Sequence, residues 1–196
     1  TFHRHRTDRI WTRDTGPIFV TGDAGKAIAR FRFNAWAKYP NWKNDAKNPE
    51  RAAKALEVPL LPVAHGGREV VLEGGSIDVN GRGTILTTEE CLLDPAVQVR
   101  NPGFAREDYE AVFAAALGAP NTIWLGKGIA GDDTHGHVDD LARFVSPRTI
   151  VIASEPEEKA TLERMLGGKG ALAKSGKLAG RIAKATPDAA LTLMWA

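Results

Sequence analysis

Three acid-bearing stretches hold most of the side chains capable of chemistry: Trp11-Thr12-Arg13-Asp14-Thr15-Gly16-Pro17, Leu72-Glu73-Gly74-Gly75-Ser76, and the run from Asp132 to Asp140. Each sets carboxylates beside glycine near an apolar, strand-like segment, where backbones approach closely and side chains stand free for function. The third is the densest, with four Asp and two His in nine residues. Carboxylates suit a planar guanidinium, whose fork of donors is best met in bidentate geometry. Asp14 and Asp139, drawn from two different stretches, could grip such a group. Trp11 could supply an aromatic wall for the cation. His137, beside Asp139, could move protons near neutral pH.

Other readings fit parts of the same residues. Asp14-Thr15-Gly16-Pro17 and Asp132-Asp133-Thr134 are ordinary turn formers. His135-x-His137-x-Asp139 has the spacing that opens a hydrolytic zinc motif, but Asp140 stands where that pattern needs another His. A catalytic zinc takes three protein ligands. No His follows His137, so further ligands would have to come from Asp188 or the glutamates.

The elements that must position these residues are legible as patterns. Ile18–Val20 reads as a strand, Thr21–Lys26 as a hairpin turn, and Ala29, Phe31 and Phe33 alternate with polar residues as a partner strand. Pro49–Val58 has helical spacing, with Asn48 as its expected N-cap. Glu69–Leu72 reads as a strand. Ser76–Asn80 and Gly83–Thr87 read as a second hairpin around Asn80-Gly81. Arg106–Leu117 is an amphipathic helix with Tyr109, Val112, Phe113 and Ala116 on one face. Thr122–Leu125, Val138–Val145 and Thr149–Ala153 read as extended. The order predicts an α+β repeat, each unit two or three strands and one helix, packed on its neighbours.

Composition bounds the classes. The chain has 196 residues, 26 basic against 24 acidic, 43% apolar residues and one Cys. That is a globular balance, and it excludes an internal disulfide framework or a Cys-rich zinc site. No apolar run approaches the roughly 20 residues of a membrane span, and no signal peptide opens the chain, so the expected compartment is the cytosol. From Arg164 to Pro187 there are six basic residues and no acidic ones. This bias alone does not make a nucleic-acid surface. With five Gly and five Ala in the same stretch, residues 154–196 are expected to form a divergent, poorly ordered tail beside a domain spanning 1–153.

Six motifs, in order, carry a resemblance. Trp-x-Arg-Asp-x-Gly-Pro at 11–17, Phe-Asn-Ala-Trp at 33–36, Leu-Glu-Gly-Gly-Ser-Ile at 72–77, Thr-Thr-Glu-Glu-Cys-Leu-Leu at 87–93, Arg-Asn-Pro at 100–102 and Gly-His-Val-Asp-Asp at 136–140 resemble the agmatine deiminase and bacterial-type peptidylarginine deiminase family. The resemblance implies a five-bladed α/β propeller of the pentein type, built from ββαβ-like blades. It implies a metal-free, cofactor-free hydrolysis that turns a guanidino group into a ureido group with release of ammonia. It places guanidinium-binding carboxylates on Asp14 and Asp139, the acid/base histidine on His137, the aromatic pocket residue on Trp11, and acidic pocket positions on Glu73 and Asp133. The implied partner is a small guanidino compound, agmatine or else peptidyl-arginine, with no membrane or nucleic acid involved.

The departures from the family pattern are specific. The family nucleophile is a Cys near the C-terminus, after a glycine-rich turn and Asn-x-His, and no such segment occurs here. Cys91 sits in a structural motif beside Glu89 and Glu90, a setting that disfavours a thiolate. Ala37 stands where the family commonly has Gly. The motifs stop near residue 153. The expectation is a partial chain of about three blades, inactive alone and completed by self-association or by a complementary segment. A guanidinium-binding module without catalysis is the non-enzymatic alternative, and a salt-sensitive nucleic-acid binder using residues 164–187 is another.

Overall fold

The computed structural model describes residues 2–153 and, as backbone, 192–195. It divides into two compact units, Thr1–Gly74 with Arg100–Pro102, and Gly75–Val99 with Gly103–Ala196.

In the first unit a short helix α1 (Thr12–Thr15) precedes the hairpin of β1 (Ile18–Gly22) and β2 (Gly25–Arg30). The strands pair antiparallel with Gly22 opposite Gly25, so Asp23-Ala24 form the two-residue turn, and Gly25 takes φ +103°, which its missing side chain permits. Helix α2 (Asn48–Leu56) then returns the chain to β3 (Leu60–Pro62), which lies parallel to β2. A small hairpin follows, β4 (Ala64–His65) with β5 (Arg68–Glu69). Beyond it, Arg32 makes an isolated parallel bridge with Val71, two residues before Glu73.

The expected N-cap of α2 is corrected. Asn48 lies inside the helix, preceded by a 3-10 turn at Asp45–Lys47, and makes no cap bond. Its amide instead donates to Thr15 Oγ1 at 3.0 Å and accepts from Arg51 Nη1 at 3.1 Å. Long-range partners have taken the group that would have capped.

After Phe33 the period-2 alternation breaks. Ala35, Trp36 and Ala37 take φ of +52°, +60° and +52°. Left-handed backbone costs roughly 1–2 kcal/mol per L-residue, and consecutive occurrences are rare. The turn is closed by Lys38 N to Ala35 O at 3.0 Å and by Ala37 N to Asn34 Oδ1 at 2.9 Å. It buries both Ala35 and Trp36 in an aromatic cluster with Phe33, Tyr39 and Trp42. Ala37 is exposed, so Ala37→Gly relieves strain without losing packing. Allowing for the extra freedom of the unfolded glycine, we expect a stabilisation of about 1 kcal/mol, read as a higher urea midpoint. A lower midpoint would contradict the left-handed assignment.

In the second unit, β6 (Asp78–Val79) and β7 (Thr84–Thr88) pair antiparallel across the Asn80-Gly81 turn. Helices α3 (Glu89–Leu93) and α4 (Arg106–Leu117) lead to β8 (Asn121–Leu125), parallel to β7. Helix α4 matches the predicted span. Asp108 accepts from Ala105 N at 2.8 Å at its start, and Gly118 at φ +63° ends it. Tyr109, Val112 and Phe113 are buried, each contributing roughly 1.5–3 kcal/mol. A third hairpin, β9 (Ala142–Ser146) with β10 (Thr149–Ile152), is joined in parallel by β11 (Thr192–Trp195). Leu86, Ile123, Leu125, Val138, Leu141, Ile150 and Ile152 form one core beneath these strands.

Three sheets therefore share one strand order, an antiparallel hairpin with a third strand parallel to its second. The connection between β10 and β11, and the basic stretch within it, lie outside the described residues. Among the described residues no helix is long and apolar enough to cross a membrane.

Candidate active site

Trp11 through Gly16 wind into α1. The Trp11 carbonyl accepts from Asp14 N, Thr15 N and Thr15 Oγ1 at 3.1–3.2 Å. Trp11 itself is 60% exposed. Asp14 is half-buried, and its Oδ2 accepts from Trp36 Nε1 at 3.1 Å. Glu73 is fully buried. Arg100 Nε lies 3.3 Å from both of its carboxylate oxygens. The next residue, Asn101, accepts from Val71 N at 2.9 Å and donates to Val71 O at 2.8 Å, copying a strand partner.

Asp14 and Glu73 are drawn together by glycine. A Cβ at Gly74 would lie 2.1 Å from the Arg13 carbonyl oxygen. Only a residue without a side chain lets these backbones meet, and the meeting sets Asp14 and Glu73 on two touching strands of chain.

The second unit holds the other predicted residues. Asp132, to which the sequence reading gave no role of its own, organises them. Its carboxylate accepts from Thr134 N and Gly136 N at 2.8 Å, from His137 N at 3.1 Å, and from Thr134 Oγ1. Burial pushes this carboxyl up, but the hydrogen bonds from Thr134, Gly136 and His137 outweigh it and hold the group below its ordinary value. Thr88 Oγ1 donates to the Gly136 carbonyl, so the peptide between Gly136 and His137 is held at both its C=O and its N–H. His137 is buried, 2% exposed. Its Nδ1 stands 3.9 Å from Asp139 Oδ1, an ion-pair separation longer than a hydrogen bond. Burial raises the Asp140 carboxyl above its ordinary value, and the charges of Asp132 and Asp139 add to it. The Asp133 carbonyl accepts from Gln98 Nε2 at 3.3 Å.

His135 faces a different way. It takes φ +63° and sets Nε2 2.9 Å from Asp94 Oδ2. Backbone hydrogen bonds from Ala96 and Val97, then His135, lower Asp94 to about 2. The left-handed turn breaks the extended geometry that would align His135 with His137, so the zinc-like spacing does not translate into a shared ligand face. A cavity of ≈ 150 Å³ lies against Glu90, Lys127, Gly128, Asp132, His135 and Gly136, walled on one side by the loop that Asp132 organises.

Within the first unit Trp36 and Arg100 hold Asp14 and Glu73, and within the second Asp132 orders the loop that carries the buried His137. The sequence profile of the Porphyromonas-type peptidyl-arginine deiminases matches residues 1–186. The chain belongs to this family. The deiminase match extends past residue 153, where the short motifs stop.

Among curated relatives, the agmatine deiminase of Stutzerimonas stutzeri (strain A1501) is 42% identical over 153 residues, covering 75% of this chain and 40% of that protein. The solved agmatine deiminase of Enterococcus faecalis superposes with a TM-score of 0.75 at 28% identity, over 97% of this chain and 50% of that one. A cysteine-to-serine variant of the C. jejuni agmatine deiminase with substrate bound gives 0.76 at 29% identity, over 100% and 53%. The chain thus shares the fold of solved agmatine deiminases and spans about 40% of the length of the curated relatives it matches.

Proposed function

We propose that this chain belongs to an enzyme that deiminates agmatine, water replacing one guanidino nitrogen to give N-carbamoylputrescine and ammonia. The observation that carries this reading is the 42% identity to the S. stutzeri agmatine deiminase over 153 residues. Asp14 and Asp139 bind the guanidinium through charge-assisted hydrogen bonds. His137 transfers protons to and from the leaving nitrogen. Trp11 covers the cation, and Glu73 and Asp133 complete an acidic pocket that also suits the distal amine. The three sheets of common strand order are read as blades of a five-bladed pentein propeller, which self-association or a complementary segment would complete.

Cys91 is the chain's single cysteine and is buried in α3, where its backbone N donates to the Thr88 cap. The reading gives it no nucleophilic role. The thiolate of the family chemistry is then not among these 196 residues, and the chain alone should bind agmatine without releasing ammonia. The cytosol is the compartment proposed for this reaction, a setting in which thiols stay reduced. A second reading, peptidyl-arginine as substrate, is favoured by the description of the matching family.

Calorimetric titration tests both. Agmatine should bind, and Asp14→Asn and Asp139→Asn should each weaken it by roughly 10- to 100-fold, the worth of a hydrogen bond to a charged group. Unchanged affinity in both variants would place the site elsewhere. Tighter binding of a blocked arginine peptide than of agmatine would select the second reading.

A further inference from the structure

We propose that Trp36 is a positioning residue, its indole N–H fixing the Asp14 carboxylate in the orientation that receives a guanidinium. The proposal rests on the guanidinium reading above and deepens it. Trp36 Nε1 lies 3.1 Å from Asp14 Oδ2. The indole is 3% exposed and packed edge-on against Phe33 and Tyr39, with ring centroids 5.4 and 6.0 Å away. The Arg9 guanidinium lies over Tyr39 at 3.7 Å and 5.8 Å from the Trp36 ring. The donor therefore has little freedom to move.

The backbone explains how it reaches Asp14. Along Phe31 and Phe33 the alternation directs odd positions inward, which would leave residue 36 facing out. The left-handed turn at 35–37 overrides this, and Ala35 and Trp36 are both buried. Consecutive strained residues persist where surrounding contacts over-determine them, and such sites are often functional. The consequence of this strain is delivery of an indole donor to a carboxylate. Bidentate recognition depends on the plane in which both oxygens are presented. Orientation of that kind is what a fixed donor supplies.

The test uses the ¹⁵N-labelled 196-residue chain and agmatine as the probe. Among five Trp indole signals, that of Trp36 is identified by its absence in Trp36→Phe, a variant that keeps an aromatic ring and removes the donor. The Trp36 signal should move with agmatine, and should respond to acidification in the wild type but not in Asp14→Asn. Arg9 and Tyr39 remain in place in that variant, so a response lost there belongs to Asp14. Trp36→Phe should bind agmatine about five- to tenfold more weakly while still melting cooperatively, at a lowered midpoint. If Trp36→Phe misfolds, Trp36→Tyr takes its place. Equal affinity in wild type and Trp36→Phe overturns the positioning role and leaves the guanidinium reading standing. If the wild type binds no agmatine, the guanidinium reading falls. The pH arm then decides the contact, and an indole response identical in wild type and Asp14→Asn overturns it.

Discussion

Gly74→Ala is expected to destabilise the first unit by about 3 kcal/mol or more, at the upper end of overpacking costs, and to weaken agmatine binding beyond tenfold. The added Cβ would lie 2.1 Å from the Arg13 carbonyl oxygen and 3.3 Å from its carbon. Both obstacles are backbone, so no rotamer change relieves them. Neither backbone yields easily. On the Arg13 side, Gly16 N closes α1 on Thr12 O at 2.8 Å, and Gly16 is itself pressed so closely that its own Cβ would meet that oxygen at 2.5 Å. On the other side, Asn101 pins Val71, Arg32 O accepts from Leu72 N at 3.3 Å, and Arg100 holds Glu73. The clash must therefore separate Asp14 from Glu73. Gly22→Ala is the control, since a Cβ there meets nothing within 4 Å. A wild-type urea midpoint for Gly74→Ala would refute the close approach.

What could be read from the chain beforehand follows physical range. Helix α4 was legible because its signals are local, an acidic first turn, an apolar face and a terminal glycine. The hairpins at Asp23-Ala24 and Asn80-Gly81 were legible for the same reason. The candidate carboxylates were recognisable as a set because they stand in short motifs with fixed neighbours. What holds them was not. Trp36 meets Asp14 across 22 positions, and Arg100 meets Glu73 across 27. No spacing rule announces such pairs. The turn at Ala35–Ala37 was hidden because left-handed backbone is ordinarily marked by Gly or Asn, and here all three residues carry other side chains. Asn48 looked like a cap because nothing in its neighbourhood reveals that Thr15 and Arg51 would claim its amide. Asp132 and Asp133 are indistinguishable by composition. Only the fold shows that the first gathers Thr134, Gly136 and His137 around its carboxylate.

Arg100→Met should cost about 3–5 kcal/mol, the penalty for leaving a buried charge without its partner. Both side chains of the Arg100–Glu73 pair are fully buried, and the guanidinium Nε is shared between the two oxygens at 3.3 Å. Removing the cation takes this buried carboxylate's charge partner away. Glu73→Met combined with Arg100→Met removes both charges at similar volume, and such replacements are often close to neutral in stability. The double variant should therefore recover most of what Arg100→Met loses, giving a coupling energy of several kcal/mol in a denaturation cycle. Agmatine binding should not recover with it, because Glu73 is part of the proposed acidic pocket. That divergence separates the two duties of the pair, folding the segment and completing the pocket. A double variant no more stable than Arg100→Met would mean that the single loss arises from packing around Arg100. A double variant that binds agmatine as tightly as wild type would remove Glu73 from the pocket and leave Asp14 as the first unit's proposed contact with the guanidinium.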